Sequence, residues 1–230
     1  YFTGSSDVRI YNNSVSTLTT GTSTTMGAIT FGGSVAGGNA VNASQVYIIN
    51  NAINAGSSPA LSITNATGIS GLVQLDYNTY YSTGATLLYY NGTSYTNATF
   101  PTAKGSLVSV NDMNSYNADP TFTSISNLMP LTTNANSWVL NGRGIQIYDL
   151  AKDLNGANRS VQVSTGAPDI GAFEFTPTTA APLSTVTGSI GYGNTQHFIS
   201  FGDTVASVIW GYSGTLPSTV NMRFAPGTLI

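Results

Sequence analysis

Ile10-Tyr-Asn-Asn-Ser-Val15 returns later in the chain as Ile48-Ile-Asn-Asn-Ala-Ile53, and Leu75-Asp-Tyr-Asn-Thr-Tyr80 keeps part of the same frame. Each copy consists of an apolar strand, an Asn at the turn and an apolar return. The turn asparagines are separated by steps of 38 and 27 residues. A period that drifts in this way is typical of a solenoid, in which strands stack while the loops between them vary in length.

The turn asparagines of the three copies are Asn13, Asn51 and Asn78. Asn tolerates the left-handed backbone angles of a tight turn, and its amide can bond the same residue one layer away. We therefore predict that these three side chains form a ladder. The alternative is that Asn recurs at these positions only because it is abundant in this chain.

The composition favours strands over helices throughout the 230 residues. Only 7% of the residues are charged, Glu occurs once and Lys twice, whereas 41% are apolar. Short apolar segments are bounded by Gly, Asn or Ser clusters, as strands usually are. These segments are Val8–Tyr11, Gly27–Phe31, Val46–Ile49, Ala60–Thr64, Leu72–Leu75, Leu87–Tyr90 and Leu107–Val110. The sequence predicts an all-β fold, a solenoid of short stacked strands.

Charge and cysteine content exclude several classes of protein. The net charge is −3 and the six cations are scattered, so we expect no nucleic-acid partner. No apolar run reaches 18 residues, so we expect no membrane insertion. Without cysteine, disulfides and thiol chemistry are excluded. The chain carries neither an initiator Met nor a signal peptide, so we expect it to be a mature fragment or an excised region.

Five motifs occur in a fixed order in the later part of the chain. They are Leu75-Asp-Tyr-Asn-Thr-Tyr-Tyr81, Asp119-Pro-Thr-Phe122, Asn127-Leu-Met-Pro-Leu131, the segment from Asp149 through Asp153-Leu-Asn-Gly156 to Arg159, and Asp169-Ile-Gly-Ala-Phe-Glu-Phe175. The series, covering roughly residues 8–175, resembles the C-terminal half of right-handed parallel β-helix proteins secreted by Bacteroidetes and related bacteria.

That resemblance implies a right-handed parallel β-helix over residues 1–175, with Asp169–Phe175 as its last strand. It also implies an extracellular or cell-surface location. Proteins of this kind continue through β-sandwich domains to a type IX secretion signal, which is not visible here. The segment Asn136–Gly142 departs from the family pattern of Ser-Pro-Ala-Ile-Asp-x-Gly, so its turn is not predicted by the resemblance.

The last quarter of the chain divides into a linker and a β-rich tail. Residues 176–182 are rich in Pro and Thr, which predicts an extended linker. Residues 183–230 alternate apolar and polar positions, as strands do. They are too few for an immunoglobulin-like sandwich of about 100 residues. We expect either a small sheet or the truncated start of such a domain.

Charged residues concentrate between positions 143 and 174, and two interpretations are open. In the first, a charged clasp closes the helix end, with Arg159 paired to Asp153 or Asp169; its members are Asp149, Asp153, Arg159, Asp169 and Glu174. In the second, Asp149, Asp153 and Asn155 supply the oxygen ligands that Ca²⁺ prefers. We favour the clasp and expect no cofactor otherwise.

Tyrosines cluster between positions 77 and 95, and this cluster also has two interpretations. Exposed aromatic rings stack on sugars, so a glycan-binding strip is one of them. The candidate members are Tyr77, Tyr80, Tyr81, Tyr89 and Tyr90. The other interpretation is cross-strand aromatic packing without a ligand.

For function, the sequence favours a non-enzymatic structural or adhesive segment of a large bacterial surface protein. It would be a rigid rod whose partners are other domains of the same polypeptide, with glycan binding or self-association as additional roles. The alternative is a fragment of a polysaccharide lyase or glycoside hydrolase, with Asp76, Asp112 and Lys104 as the residues to test.

Overall fold

The predicted apolar segments form parallel sheets in the computed structural model of the chain. It describes residues 6–17, 23–31, 44–64, 72–90, 92–104, 112–159, 167–180, 186–189 and 208–211. Six of the seven predicted segments are strands, and the seventh, Leu107–Val110, lies outside the described residues. Among the described residues the only α-helix is the single turn α1 (Phe100–Ala103). The fold is therefore all-β with parallel sheets.

The first nine of the fifteen described strands come in groups of three along the chain. They are β1 (Ser6–Tyr11), β2 (Ser14–Ser16), β3 (Ile29–Phe31), β4 (Ser44–Ile49), β5 (Ala52–Asn54), β6 (Leu61–Ile63), β7 (Leu72–Asp76), β8 (Thr79–Tyr81), β9 (Leu88–Tyr90), β10 (Thr93–Tyr95), β11 (Tyr116–Asn117), β12 (Phe122–Ser124), β13 (Asn127–Pro130), β14 (Val186–Ser189) and β15 (Val208–Gly211). We call each of the groups β1–β3, β4–β6 and β7–β9 a three-strand repeat.

Each of the three main sheets takes one strand from every three-strand repeat. The sheet orders are β1-β4-β7, β2-β5-β8-β11 and β3-β6-β9-β10. All neighbours are parallel except β9 and β10. Ile10, Ile48 and Leu75 lie in register in the first sheet, as the sequence repeat predicts. The strands are short because Asn, Gly or Ser interrupts each apolar run after a few residues.

One apolar core lies between the sheets. Phe31 from the third sheet, Ile48 from the first and Ile53 from the second belong to the same buried cluster. Side chains alternate between the two faces of a strand, and each strand contributes one face to this core. In β3 and β6 the residues of both faces are buried. The structure thus explains how a chain with few charges folds: each repeat buries its apolar face against the other sheets.

The edge of the third sheet ends in an antiparallel hairpin that is not among the strands predicted from the sequence. Strand β10 pairs with β9, with Thr93 opposite Tyr90, and Gly92 in the turn has a φ of +85°. The signal was present, because Asn-Gly between apolar runs is the strongest short-range hairpin signal. A second hairpin joins β12 and β13.

Of the predicted linker and tail, the structure describes only parts. Residues 176–180 contain no strand, and β14 pairs with β15 in parallel, with Val186 opposite Val208. The remaining predicted tail strands lie outside the described residues. No helix in the described part of the chain is long and apolar enough to cross a membrane.

Candidate functional site

The three turn asparagines form a continuous hydrogen-bonded line across the repeats. Asn13 Nδ2 donates to Asn51 Oδ1 at 3.0 Å, and Asn51 Nδ2 donates to Asn78 Oδ1 at 2.9 Å. The main-chain N–H of Asn78 then donates to Ser115 Oγ at 2.8 Å, and the Ser115 hydroxyl donates to the Asp112 carboxylate. The line therefore runs through five residues, and its last two were not predicted. We call it the asparagine ladder.

The ladder amides also satisfy buried main-chain carbonyls. Asn51 Nδ2 donates to the carbonyls of Ile10 at 2.9 Å and Ile49 at 3.1 Å. Asn78 Nδ2 donates to Ile48 at 2.9 Å. Both asparagine side chains are completely buried. A buried amide is tolerated only when its donors and acceptors are paired, so these bonds specify the register of the repeats.

One part of the ladder prediction needs correction. The left-handed residue of each turn precedes the ladder asparagine: Asn12 has a φ of +51°, Asn50 of +59° and Tyr77 of +57°. The prediction assigned both the left-handed turn conformation and the ladder hydrogen bond to a single Asn, but two consecutive residues share these roles. The first residue makes the turn, and the second contributes the amide.

Asp112, at the end of the ladder, is a fully buried carboxyl group beside the Tyr80 phenol. Burial raises the pKa of Asp112 to about 7, against the lowering effect of the Ser115 hydroxyl. Burial and the neighbouring Asp112 also raise the pKa of Tyr80 well above its usual range. Asp112 Oδ2 and Tyr80 Oη have no hydrogen-bond partner among the described residues. The raised pKa keeps the Tyr80 phenol protonated, so its hydroxyl is itself a donor beside the Asp112 carboxyl group.

Asp76 and Lys104, the other candidates for chemistry, lie near this end of the ladder. Asp76 Oδ1 accepts from the main chain of Asn114 at 2.7 Å, and Oδ2 accepts from its side-chain amide at 2.7 Å. Lys104 Nζ donates to the Met113 carbonyl at 3.1 Å, and burial lowers its pKa. Because Asp112 is buried, the three candidates do not line an open groove as an inverting pair of carboxylates would require.

The charged residues of the predicted clasp form a compact group with a different pairing. Arg159 Nη1 bonds Glu174 Oε1 at 2.6 Å, and Nη2 donates to the Gly171 carbonyl at 2.9 Å. The prediction that Arg159 pairs with the carboxylate of Asp153 or Asp169 is wrong. Arg159 reaches only the main-chain carbonyl of Asp169, at 3.4 Å.

The two aspartates serve instead as acceptors for main-chain N–H groups. Asp153 Oδ1 accepts from Asn155 and Ala157, and Oδ2 accepts from Glu174 at 2.9 Å. Asp169 Oδ2 likewise accepts from Phe175 at 2.7 Å. In a sheet, these main-chain N–H groups would donate to the carbonyls of a neighbouring strand. In this irregular segment the aspartate carboxylates accept from them instead.

Asp169–Phe175 is consequently not the strand that the sequence predicts. The segment has no regular secondary structure, although Ile170 is completely buried with Ala52 and Leu140. Asp169 Oδ1 accepts from the Gly142 N–H at 2.6 Å, which joins the segment to the preceding turn. Burial is the largest cause that raises the pKa of Asp169 to about 7, and the nearby Glu174 carboxylate adds to it.

The closing segment, which we define as residues 167–175, packs against the first two repeats. The main-chain N–H of Gly171 donates to the Asn50 carbonyl at 2.8 Å, and that of Ala172 donates to Ser14 Oγ at 3.0 Å. The Asn50 side chain is bonded to both main-chain groups of Ile145, at 2.6 and 2.9 Å. The expectation of a clasp on the last coil is therefore corrected: the segment lies beside the early turns.

Asp149 and Asn155 do not take the positions expected of them, Asp149 in the charged clasp and both residues as calcium ligands. Asp149 is exposed, and Asn155 contributes its main-chain N–H to Asp153. Within the described ranges, no three His, Cys, Asp or Glu side chains are grouped closely enough to hold a metal ion. Both Asp153 oxygens already accept main-chain N–H groups, which explains why that carboxylate faces the protein.

The tyrosine strip also requires correction. Tyr80 is completely buried and packs edge-to-face on Phe100, with ring centroids 5.8 Å apart, so it cannot stack on a ligand. Tyr89 and Tyr90 are consecutive in β9 and therefore point to opposite faces. Tyr77 and Tyr81 are half-buried at the two ends of the segment around β8.

A cleft that the sequence did not indicate lies beside Tyr81. It has a volume of about 430 Å³ and is lined by side chains from separate parts of the chain. These include Tyr81, Asp119, Asn136, Trp138 and Arg143. No spacing pattern connects these positions, so only the fold reveals them. Comparisons with models of known families, with curated proteins and with solved structures found no match for this chain.

Proposed function

We propose that the chain is a segment of a right-handed parallel β-helix that acts as a rigid structural module. The observation that carries the proposal is the strand order: each of the three main sheets takes one strand from every three-strand repeat, and these strands pair in parallel. A connection between parallel strands of one sheet is almost always right-handed, which supports the handedness. Stacked repeats bury one another, so such a rod needs neither disulfides nor a large globular core.

The location and partners follow from the same proposal. A surface poor in charge and rich in Asn, Ser, Thr and Gly supports an extracellular or bacterial cell-surface setting, as does the resemblance of the ordered motifs to secreted Bacteroidetes β-helix proteins. The partners would be other domains of the same polypeptide, with glycans and further copies of the chain as secondary partners.

A non-enzymatic role is supported by how the carboxylates are used. Asp153 and Asp169 accept main-chain N–H groups, and Asp76 is bonded to Asn114. Asp112 is buried at the end of the asparagine ladder. Each of these carboxylates has a structural partner.

The alternative function, a fragment of a lyase or hydrolase, is tested by incubating the chain with acidic and neutral polysaccharides. New reducing ends would indicate hydrolysis, and unsaturated uronates would indicate lyase activity. Turnover of either kind would overturn the structural role.

The solenoid is tested by duplicating one period of the stack. A second copy of residues 56–82, which contain β6, β7 and β8, is inserted after Ser82. Each strand then finds an identical neighbour, so the longer chain should keep its β circular dichroism and unfold in one transition at least as stable as that of the parent. The matched control inserts the same residues in scrambled order. If both insertions unfold the protein equally, the stacked arrangement is refuted.

A further inference from the structure

The cleft beside Tyr81 is formed where three separate elements meet. Tyr81 ends β8, Asp119 lies in the turn after β11, and Asn136 and Trp138 belong to the 3-10 helix Ala135–Val139. Arg143 follows that helix. The volume of about 430 Å³ falls within the range of about 300–1,000 Å³ that ligand sites usually occupy. The lining combines aromatic rings with a carboxylate, an amide and a guanidinium.

The side chains around the cleft are held in place by their own contacts. Trp138 Nε1 donates to Thr179, at 3.3 Å to the carbonyl and 3.2 Å to the hydroxyl. The Arg143 guanidinium carbon lies 4.5 Å from the centre of the Tyr116 ring. Such fixed groups lose little conformational entropy when a ligand binds.

Asp119 is fixed by one oxygen and leaves the other available. Its Oδ1 accepts from the Thr121 N–H at 2.9 Å and from Asn54 Nδ2 at 3.3 Å. Its Oδ2 has no hydrogen-bond partner in the described part of the chain. A fixed carboxylate oxygen at a cleft is a strong acceptor for hydroxyl groups, and it repels other anions.

We propose that this cleft binds a neutral sugar residue of an extracellular glycan. The rings of Tyr81 and Trp138 offer apolar surface to the C–H face of a pyranose, while Asp119 accepts from its hydroxyls. Arg143 and Asn136 donate to hydroxyl or ring oxygens. The Asp119 carboxylate and the Arg143 guanidinium both line the cleft, so their charges offset each other and nothing in the lining favours uronic, sialic or sulfated sugars over neutral ones. The inference gives the adhesive form of the proposed function a site, and it depends on the cleft residues rather than on the solenoid.

Binding is measured by calorimetry on the full chain with neutral gluco-, galacto-, manno- and xylo-oligosaccharides and with matched uronic and sulfated oligosaccharides. We expect saturable binding of at least one neutral oligosaccharide and no tighter binding of its acidic counterpart. Failure of every neutral oligosaccharide to bind, or a preference for the acidic ones, would overturn the proposal. Neither result would alter the outcome of the repeat duplication, so the two proposals fail separately.

The deciding variant is Asp119→Asn, because the amide oxygen can still accept the Thr121 N–H and keep the turn. It should weaken binding about 10-fold, whereas Asp149→Asn, which changes an exposed carboxylate outside the cleft, should leave binding unchanged. Trp138→Ala should abolish binding, with Tyr148→Ala as the control at a ring that is 90% exposed. Equal binding by Asp119→Asn and Asp149→Asn would refute the site.

Discussion

Replacing Asp112 by Asn should stabilise the protein at alkaline pH. The carboxyl group is buried, and its pKa is about 7 in the folded chain against an ordinary value of 3.8. The folded state therefore binds the proton more tightly than the unfolded state, and stability is lost as the pH rises from about 4 to about 7. The Asn variant has no proton to lose but still accepts the Ser115 hydroxyl. Its advantage over the parent should grow with pH.

The size of this effect follows from the two pKa values. One pKa unit is worth about 1.36 kcal/mol, and the shift of about three units costs about 4 kcal/mol once the folded group is ionised. Part of that cost is already present at pH 5, because the unfolded group is ionised there. Between pH 5 and pH 8 the advantage of Asp112→Asn should therefore grow by about 2–3 kcal/mol.

Urea unfolding at pH 5 and pH 8 measures the difference directly. The control is Asp149→Asn, which removes an exposed carboxylate and should change stability by less than about 0.5 kcal/mol at either pH. An advantage of Asp112→Asn that stays constant or shrinks between the two pH values would refute the reasoning. The parent itself should lose stability over this range, because burial also raises the pKa of Asp169 to about 7.

Two further substitutions test the ladder and the charged group by urea unfolding. Asn51→Ala leaves buried carbonyls and a main-chain N–H without partners, so it should lower the free energy of unfolding by about 2–4 kcal/mol. Asn13→Ala, at an exposed position, should lower it by less than about 1 kcal/mol. Equal losses in the two variants would contradict the buried ladder. Arg159→Met leaves the Glu174 carboxylate without its cation and should cost about 3–5 kcal/mol at pH 8. The cost should be smaller at pH 5, because the pKa of this carboxyl group is already raised and it can take up a proton more readily there. The exposed Lys152→Met is the control, and a loss independent of pH would argue against the ion pair.

The repeats were predictable because the same residue type returns at each turn. Asn13, Asn51 and Asn78 share a frame with the apolar strands, so both the ladder and the pairing of Ile10 with Ile48 could be read from the sequence. Ser115 takes the next position in the ladder with a different side chain. A pattern search for Asn misses it, because the geometry requires only a hydrogen-bonding oxygen.

The closing segment was predicted less well because its bonds do not follow a period. Alternation around Ile170 indicates a strand, yet the main-chain N–H groups of Asp169 and Phe175 are bound by carboxylates. The partner of Arg159 was likewise undetermined, since three acids lie within reach in sequence and only the folded backbone selects Glu174. The cleft was not predictable, because its residues meet only after three elements have packed.

The bond between the Ala172 N–H and Ser14 Oγ joins residues 158 positions apart. Local pairing between neighbouring repeats can form as soon as each repeat is complete, but the early turns stay uncovered until residues 167–175 have been made. Asn50, which is fully buried in the finished molecule, receives the partner of its main-chain carbonyl, the Gly171 N–H, from this late segment. We therefore expect a chain that ends before residue 167 to expose its first turns to proteases.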